Sequence, residues 1–343
     1  MDIMRKITDI LWKMKYKRRS LAAAYCYRKG LVELPYAPLE LFIEPTNFCN
    51  LKCIICLHGT GLRREKGFMS METFDRVLKE AVKSKVLKIT LHFAGEPLLN
   101  KDIFTMIRHV KKHNIYVRAH TNATILDECY SRNIINSGLD ELSFSFDDYR
   151  KDVYERIRVN ADYDKTLDNI RKFLEIKKSL KAKKPFLIIQ QIKLNGIGYN
   201  DGHDGEFRKL FSGLPVDKFY AIYTHNWSGA RQEPFIERYS DADSQKSPCR
   251  AIWYRLVAGW DGKVFACCNE MDGKLLIGDL TKTALADIWN GHPMQRLRRM
   301  MIYSQYNDIE ACRNCDVLVR AKDSQMSGPK EKLAKFFLAM EKK

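Results

Sequence analysis

No stretch of about 18 consecutive apolar residues occurs in the 343-residue chain, so a membrane-spanning helix is not expected. The N-terminus, Met-Asp-Ile-Met-Arg-Lys-Ile, lacks the apolar core and small-residue cleavage site of a secretory signal. A cytoplasmic location is the corresponding expectation. No recognition module of the familiar nucleic-acid-binding kinds is present. With 45% hydrophobic and 29% charged residues the composition is not that of a disordered chain. Some 40 residues precede the first strand candidate, too few for a separate peptide-binding domain, which tilts the expected substrate toward a small molecule.

What the chain does have is cysteine and positive charge. Ten cysteines in a reducing compartment point to metal ligands or catalytic groups rather than disulfides. The formal charge of +17 is spread along the chain, denser at 5–19 and 171–184. That balance fits nucleic acid, acidic lipid, anionic substrates or simply a solvated surface. Residues 1–38 read as a basic amphipathic helical segment. Ile3, Ile7, Ile10, Leu11 and Met14 share one face, with Lys13, Lys15, Lys17, Arg18 and Arg19 supplying charge. Such a helix either packs its stripe on the main domain, the favoured expectation, or contacts a membrane surface or partner. Residues 321–343 read as a second basic helix.

Three cysteines dominate the chemistry. Leu41 to Ile43 forms a short apolar strand that runs into a loop carrying Cys49, Cys53 and Cys56. The C-x3-C-x2-C spacing wraps one face of a cubic iron–sulfur cluster and leaves a fourth iron for a small molecule. Zinc sites are usually assembled from two short-spaced halves, and this loop is not. From residue 39 to 235, strand and helix patterns alternate. Strands are expected at 39–44, 88–93, 116–120, 141–146, 186–194 and 219–223. Helices are expected at 70–84, 101–114, 126–137, 165–180 and 205–211. The strands read as largely apolar, as when both faces of a sheet are covered. The fold class is α/β, a partial (β/α)6 TIM-like barrel, whose chemistry sits at the C-terminal strand ends. Those ends carry Gly95 and Glu96, then His120, then Ser145 and Asp147.

Residues 245–320 differ in texture. Two β-prone runs flank Trp260-Asp-Gly262, a hairpin signal. Helices follow, and Cys312-Arg-Asn-Cys315 closes the segment, giving a small hairpin-plus-helix cluster-binding domain. Cys249, Cys267, Cys312 and Cys315 make a four-thiolate cage, suited by spacing alone to tetrahedral zinc or to iron–sulfur. Cys268, next to Cys267, is expected to point to the opposite face of its strand. It is either a small buried residue or a thiol that returns a hydrogen atom to a substrate radical. Cys26 and Cys129 are expected to be packing residues. His58, His92, His120 and His225 form a set of candidate substrate contacts.

Taken together, these motifs resemble the radical S-adenosylmethionine (SAM) enzymes. Cys49, Cys53 and Cys56 match the family's triad for the SAM-binding 4Fe-4S cluster. Phe93-Ala-Gly-Glu-Pro97 is similar to the glycine-glycine-glutamate-proline motif that holds the SAM amino group, with Ala94 for the first glycine. Ser145 and Asp147 match the Ser-x-Asp motif near the SAM ribose and carboxylate. Arg158 stands where an arginine often meets that carboxylate. Ile55 takes the place of an aromatic usual beside the cluster. Residues 249–315 resemble the SPASM/twitch extensions that hold auxiliary clusters. With no cysteine after Cys315, one auxiliary 4Fe-4S cluster is implied. The resemblance implies reductive cleavage of SAM to a 5′-deoxyadenosyl radical that takes a hydrogen atom from substrate carbon. The outcome is oxidation, or epimerisation, of a sugar- or cyclitol-type molecule. An electron donor such as flavodoxin or ferredoxin is implied. A peptide-modifying maturase is the alternative, and a non-catalytic, zinc-stabilised nucleic-acid-binding protein is the alternative of another class. A base for later proton loss is among His120, Asp147 and Lys193.

Overall fold

The computed structural model describes residues 2–194, 204–231, 246–320 and 329–341. Six parallel strands follow the chain: β1 (Glu40–Ile43), β2 (Lys88–Leu91), β3 (Tyr116–Thr121), β4 (Glu141–Ser145), β5 (Phe186–Lys193) and β6 (Lys218–Tyr223). They lie side by side in that order, and helices cross between them to make a partial barrel. Helix starts follow their capping chemistry. Ser70, Asp127 and Asp162 each accept a backbone N–H from three residues on, at Thr73, Tyr130 and Lys165.

The strands are uniformly apolar on one face, and mixed on the other, where Phe42 and Val257 share the ladder with Thr90. Leu41, Ile43, Ile89, Leu91, Val117, Leu142, Phe144, Leu187 and Ile189 are buried against helices. The ladder registers place Thr90 beside Arg118, His120 beside Ser143, and Ser145 beside Gln190 on the other, lumenal face. The expectation of strands apolar on both faces therefore holds only toward the helices. A polar lumen needs partners. At its lower end Glu40, 4% exposed, accepts from Thr90 Oγ1 at 2.6 Å and Arg118 Nη2 at 3.2 Å, with Lys88 Nζ at 3.6 Å. These groups hold one another at the end of the barrel remote from the cysteine loop.

The expected hairpin is built onto the barrel's own sheet. β7 (Arg255–Ala258) pairs in parallel with β1, and β8 (Lys263–Phe265) and β9 (Leu276–Asp279) follow antiparallel. Gly262 makes the turn at φ +84°, a conformation that suits glycine. A helix at Lys151–Ile157 and the strand β9 were outside the sequence expectations.

The first helix, Asp2–Arg28, crosses the lower end of the barrel. Trp12 donates to the Leu87 carbonyl at 2.9 Å and stacks on Tyr116 with ring centroids 4.3 Å apart. Ala22, Ala23 and Cys26 are fully buried further along. This corrects the expected packing of the apolar stripe. Ile10, Leu11 and Met14 point outward, because Trp12 and the small Ala22 and Ala23 set the helix's rotation. The Ile3 and Ile7 side chains lie outside the described residues. The helix Pro329–Glu341 runs antiparallel to it, joined by Arg18 and Arg19 to Glu341 and by Lys29 to Glu331. Cys129 is exposed on its helix rather than packed. Among the described residues no helix is long and apolar enough to cross a membrane.

Candidate active site

The loop after β1 is anchored from three sides. Thr46 Oγ1 accepts from Phe48 N and donates to the Gly67 carbonyl at 2.7 Å, and Asn47 Oδ1 accepts from Gly67 N at 2.8 Å. Lys52 N and Ile54 N donate to the Val159 and Ile157 carbonyls, both at 3.0 Å. From the turn after β6, Trp227 Nε1 donates to the Ile55 carbonyl at 2.6 Å and Arg231 to the carbonyls of Cys56 and Ile54. An indole thus stands at this loop although position 55 carries no aromatic. Trp227 and Arg231 were not foreseen, since they lie some 170 residues from the loop and follow no spacing rule.

The strand end after β2 reaches the same loop. Glu96 N donates to the Phe48 carbonyl at 2.9 Å. A Cβ on Gly95 would sit 2.3 Å from Thr46 O and 2.5 Å from Phe48 O. The glycine therefore lets two stretches of backbone touch. Glu96 is 2% exposed and accepts from Leu98 N, Thr121 Oγ1 and Asn122 N at 3.1, 2.8 and 2.7 Å. Burial pushes its carboxyl up to about 7 even so.

Cys49, Cys53 and Cys56 line a cavity over the barrel lumen together with Gly95, Glu96, Ser145 and Arg158. Pro97 and Asp147 are not part of that lining. Asp147 stands behind Arg158, accepting from its Nε at 2.7 Å and from Ile192 N at 2.9 Å. Its carboxylate is thereby committed to aiming the guanidinium. Burial opposes the Arg158 charge, yet Asp147 and the neighbouring Cys53 hold its pKa above the usual range. The cavity floor holds His92, His120 and Gln190, and its far wall Thr224, His225 and Trp227. The four candidate histidines, His58 included, meet in this one space. Burial, with Arg118 nearby, lowers His92 to about 4, and burial lowers His120 well below its usual value, so both imidazoles are neutral. His92 Nδ1 and His58 Nε2 are buried with no hydrogen-bond partner in the protein. Of the three base candidates only His120 reaches the cavity.

The other thiols gather beside β7. Cys249 caps the turn Arg250–Trp253, Cys267 follows β8, and Cys312 and Cys315 span one turn with Cys315 N donating to the Cys312 carbonyl. Cys249, Cys267, Cys312 and Cys315 are close enough to raise one another's pKa, beyond the larger upward push of burial. Cys268 lies near these thiols and bonds Arg255, yet it packs against Phe42, Val257 and Phe265, whereas Cys249, Cys312 and Cys315 rest on the main core. β8 ends at Phe265, before the Cys267–Cys268 pair. Cys268 is not among the residues lining the cavity.

The two thiol groups share a connector. Asn226 accepts from Asp316 N, donates to the Asn314 carbonyl at 2.6 Å, and is followed by Trp227, Ser228 against Cys267 at 3.9 Å, and Arg231.

The donor sets fit iron–sulfur clusters. Cys53, Cys312 and Cys315 are buried and Cys49, Cys56, Cys249 and Cys267 partly so, and the positive core of a cluster would reverse the upward pKa shift that burial imposes. Among the described residues no three cysteine, histidine or carboxylate side chains converge as on a single metal ion. A cube instead sets its thiolates on separate irons, further apart. Glu96 and Arg158, of opposite charge and both lining the cavity by the triad, fit an amino acid's ammonium and carboxylate.

Fold and site thus define a partial-barrel protein built around two thiolate-held cluster sites. Residues 43–182 match the radical SAM superfamily and residues 249–316 an iron–sulfur cluster-binding domain, SPASM. The chain belongs to the radical SAM superfamily and carries a C-terminal SPASM-type domain, with 4Fe-4S clusters and SAM as its cofactors. A "Probable GTP 3′,8-cyclase" of Methanococcus maripaludis (strain C5) is 32% identical over 129 residues, 37% of this chain and 43% of that protein. The chain spans about half or less of the length of the curated relatives it matches first. Streptococcus suis SuiB bound to precursor peptide SuiA superposes with TM-score 0.63 and 16% identity, covering 82% of this chain and 70% of that one. BtrN in complex with AdoMet and 2-DOIA gives TM-score 0.56 and 16% identity, covering 81% and 92%. These structures share the partial-barrel fold.

Two predictions arise from the site itself. With Glu96 as the partner of the SAM ammonium, affinity measured by equilibrium dialysis is expected to fall below about pH 7, up to about tenfold per unit. The direction follows because a protonated carboxyl cannot pair with an ammonium, and Glu96→Gln flattens the profile. Trp227→Phe keeps a ring but removes the donor to Ile55 O, and is expected to lower SAM affinity about tenfold with little change in melting temperature.

Proposed function

We propose that the chain is a radical SAM oxidoreductase that oxidises a hydroxyl-bearing small molecule of the sugar or cyclitol type. Supporting this reading is the character of the cavity below the triad. Apart from Glu96 and Arg158, no carboxylate, lysine or arginine lines it, and His92, His120, Gln190, Ser145 and Thr224 offer neutral donors and acceptors. Such a set suits hydroxyl groups, and leaves a charged substrate without a counter-ion.

Cys49, Cys53 and Cys56 would hold the SAM-binding cluster, and Cys249, Cys267, Cys312 and Cys315 the auxiliary one. Bound there, SAM and its cluster supply a radical that takes a hydrogen atom, and the auxiliary cluster supplies an acceptor for one electron. Glu96 would hold the ammonium and Arg158, aimed by Asp147, the carboxylate of SAM. His92 or His120 would take the hydroxyl proton as the carbon is oxidised, since a neutral imidazole has a lone pair free to receive it. The polar lumen below, filled by Glu40, Lys88 and Arg118, prevents the substrate from sinking away from the cysteines. A small acidic reductant such as flavodoxin or ferredoxin would suit the +17 surface.

The reading is tested by anaerobic turnover of a panel of polyols and aminocyclitols deuterated at each hydroxyl-bearing carbon. The expected result is one carbonyl product per 5′-deoxyadenosine, with deuterium moved into the latter. Solvent deuterium at an inverted carbon would favour epimerisation, and turnover of a peptide alone would overturn the small-molecule assignment.

A further inference from the structure

The first helix and the C-terminal helix leave an apolar, basic surface on the end of the barrel opposite the cavity. Ile10, Leu11 and Met14 are 55%, 49% and 63% exposed, and Leu333, Phe336 and Met340 are 43%, 60% and 43% exposed. The spacings 10/14 and 333/336/340 put each group on one helical face. In both helices the opposite face is the one that packs, through Trp12 and Ala22 in the first and Ala334 and Leu338 in the second. Two adjacent antiparallel helices thus turn apolar residues outward.

Charge around this surface is one-sided. Lys13, Lys15 and Lys17 flank the first group, and Lys332 and Lys335 the second, all exposed. Among the described side chains the acids of the pair are turned toward the protein: Glu341 is held by Arg18 and Arg19, with 5% of its side chain exposed, and Glu331 by Lys29. Apolar residues at the centre with lysines at the flanks is the chemistry of a helix lying in the headgroup layer of an anionic membrane. A nucleic acid would use the lysines but not Phe336, and an apolar protein partner would use Phe336 but not the lysines.

We propose that this two-helix face docks the protein peripherally on an anionic lipid surface. The first helix touches Lys85, Leu87 and Tyr116, which lie at the N-terminal strand ends, whereas the cysteine loop follows the C-terminal end of β1. Docking therefore holds the cavity mouth away from the bilayer. The proposal is independent of which substrate the cavity takes.

The test is co-sedimentation of the full, cluster-loaded protein with vesicles of phosphatidylcholine alone or mixed with phosphatidylglycerol. Binding is expected to the mixed vesicles, weakening as salt rises. The triple change Lys13→Glu, Lys15→Glu, Lys17→Glu is expected to reduce it about a hundredfold. Ile10→Ser with Met14→Ser and Phe336→Ser is expected to reduce it about tenfold or more. A variant Met14→Cys carrying an environment-sensitive dye reports insertion directly, with a blue shift expected only on the mixed vesicles. Equal binding to neutral vesicles, no binding to either, or a dye shift that tracks protein concentration without lipid would overturn the proposal. The last result would identify a second copy of the chain as the occupant. Iron content and melting temperature unchanged in the surface variants would show that the fold survives.

Discussion

Alanine at Cys49, Cys53 or Cys56 is expected to abolish formation of 5′-deoxyadenosine and to remove about four irons per chain, leaving the second cluster in place. The loop offers no substitute thiol. Polar contacts beside the cysteines include backbone carbonyls already taken by Trp227 and Arg231 and amides donating to Val159 and Ile157. The loss is expected to exceed about a thousandfold, because every later step depends on the radical that this site supplies. Cys312→Ala, by contrast, is expected to lose the other four or so irons while SAM cleavage falls only about tenfold. That partial loss has a route. Asn314 and Asp316 flank Cys315 and hold Asn226, and the same turn carries Trp227 and Arg231 to the first loop. Unchanged iron content in Cys312→Ala would remove the auxiliary assignment.

Gly95→Ala is the second large effect. The added methyl would lie 2.3 Å from one backbone oxygen and 2.5 Å from another, at Thr46 and Phe48. Neither is the end of a side chain that can swing aside, so the cysteine loop must move. Overpacking of this kind costs about 1–3 kcal/mol, readable as a fall in melting temperature. The catalytic loss is larger, about a hundredfold or more, because a shift of about an ångström at a reacting centre has that effect. Ala94→Gly leaves these backbone contacts untouched and is expected to retain near-normal cleavage. Should Gly95→Ala cleave SAM at the normal rate, the close approach has no functional weight.

Much of this site was legible before any coordinates. Lys88-Ile-Thr-Leu-His-Phe93 is a β-prone run with Gly95 and Glu96 just beyond it, which marks both a strand and the functional end of it. The cysteine spacing is local, as a cluster-binding loop must be. The six barrel strands lie within a few residues of their expected positions for the same reason, as each is an isolated β-prone run between capped helices. Other features depend on distant partners and leave no local mark. β7 joins β1 across more than two hundred residues. Asp147 could be placed near the cofactor by motif, but only the Arg158 contact shows that it works through the arginine. The outward turn of Ile10 and Met14 is decided by Trp12 finding Leu87 and Tyr116, although the stripe alone suggested the reverse. β8 stops at Phe265, short of the Cys267–Cys268 pair that the expected hairpin strand included.

The most direct measurement is anaerobic reconstitution with iron and sulfide, followed by iron counting and by assay for 5′-deoxyadenosine from SAM and a strong reductant. About eight irons per chain, broad absorption near about 400 nm and reductant-dependent 5′-deoxyadenosine are the predicted results. Stoichiometric zinc with no cleavage of SAM would contradict the account.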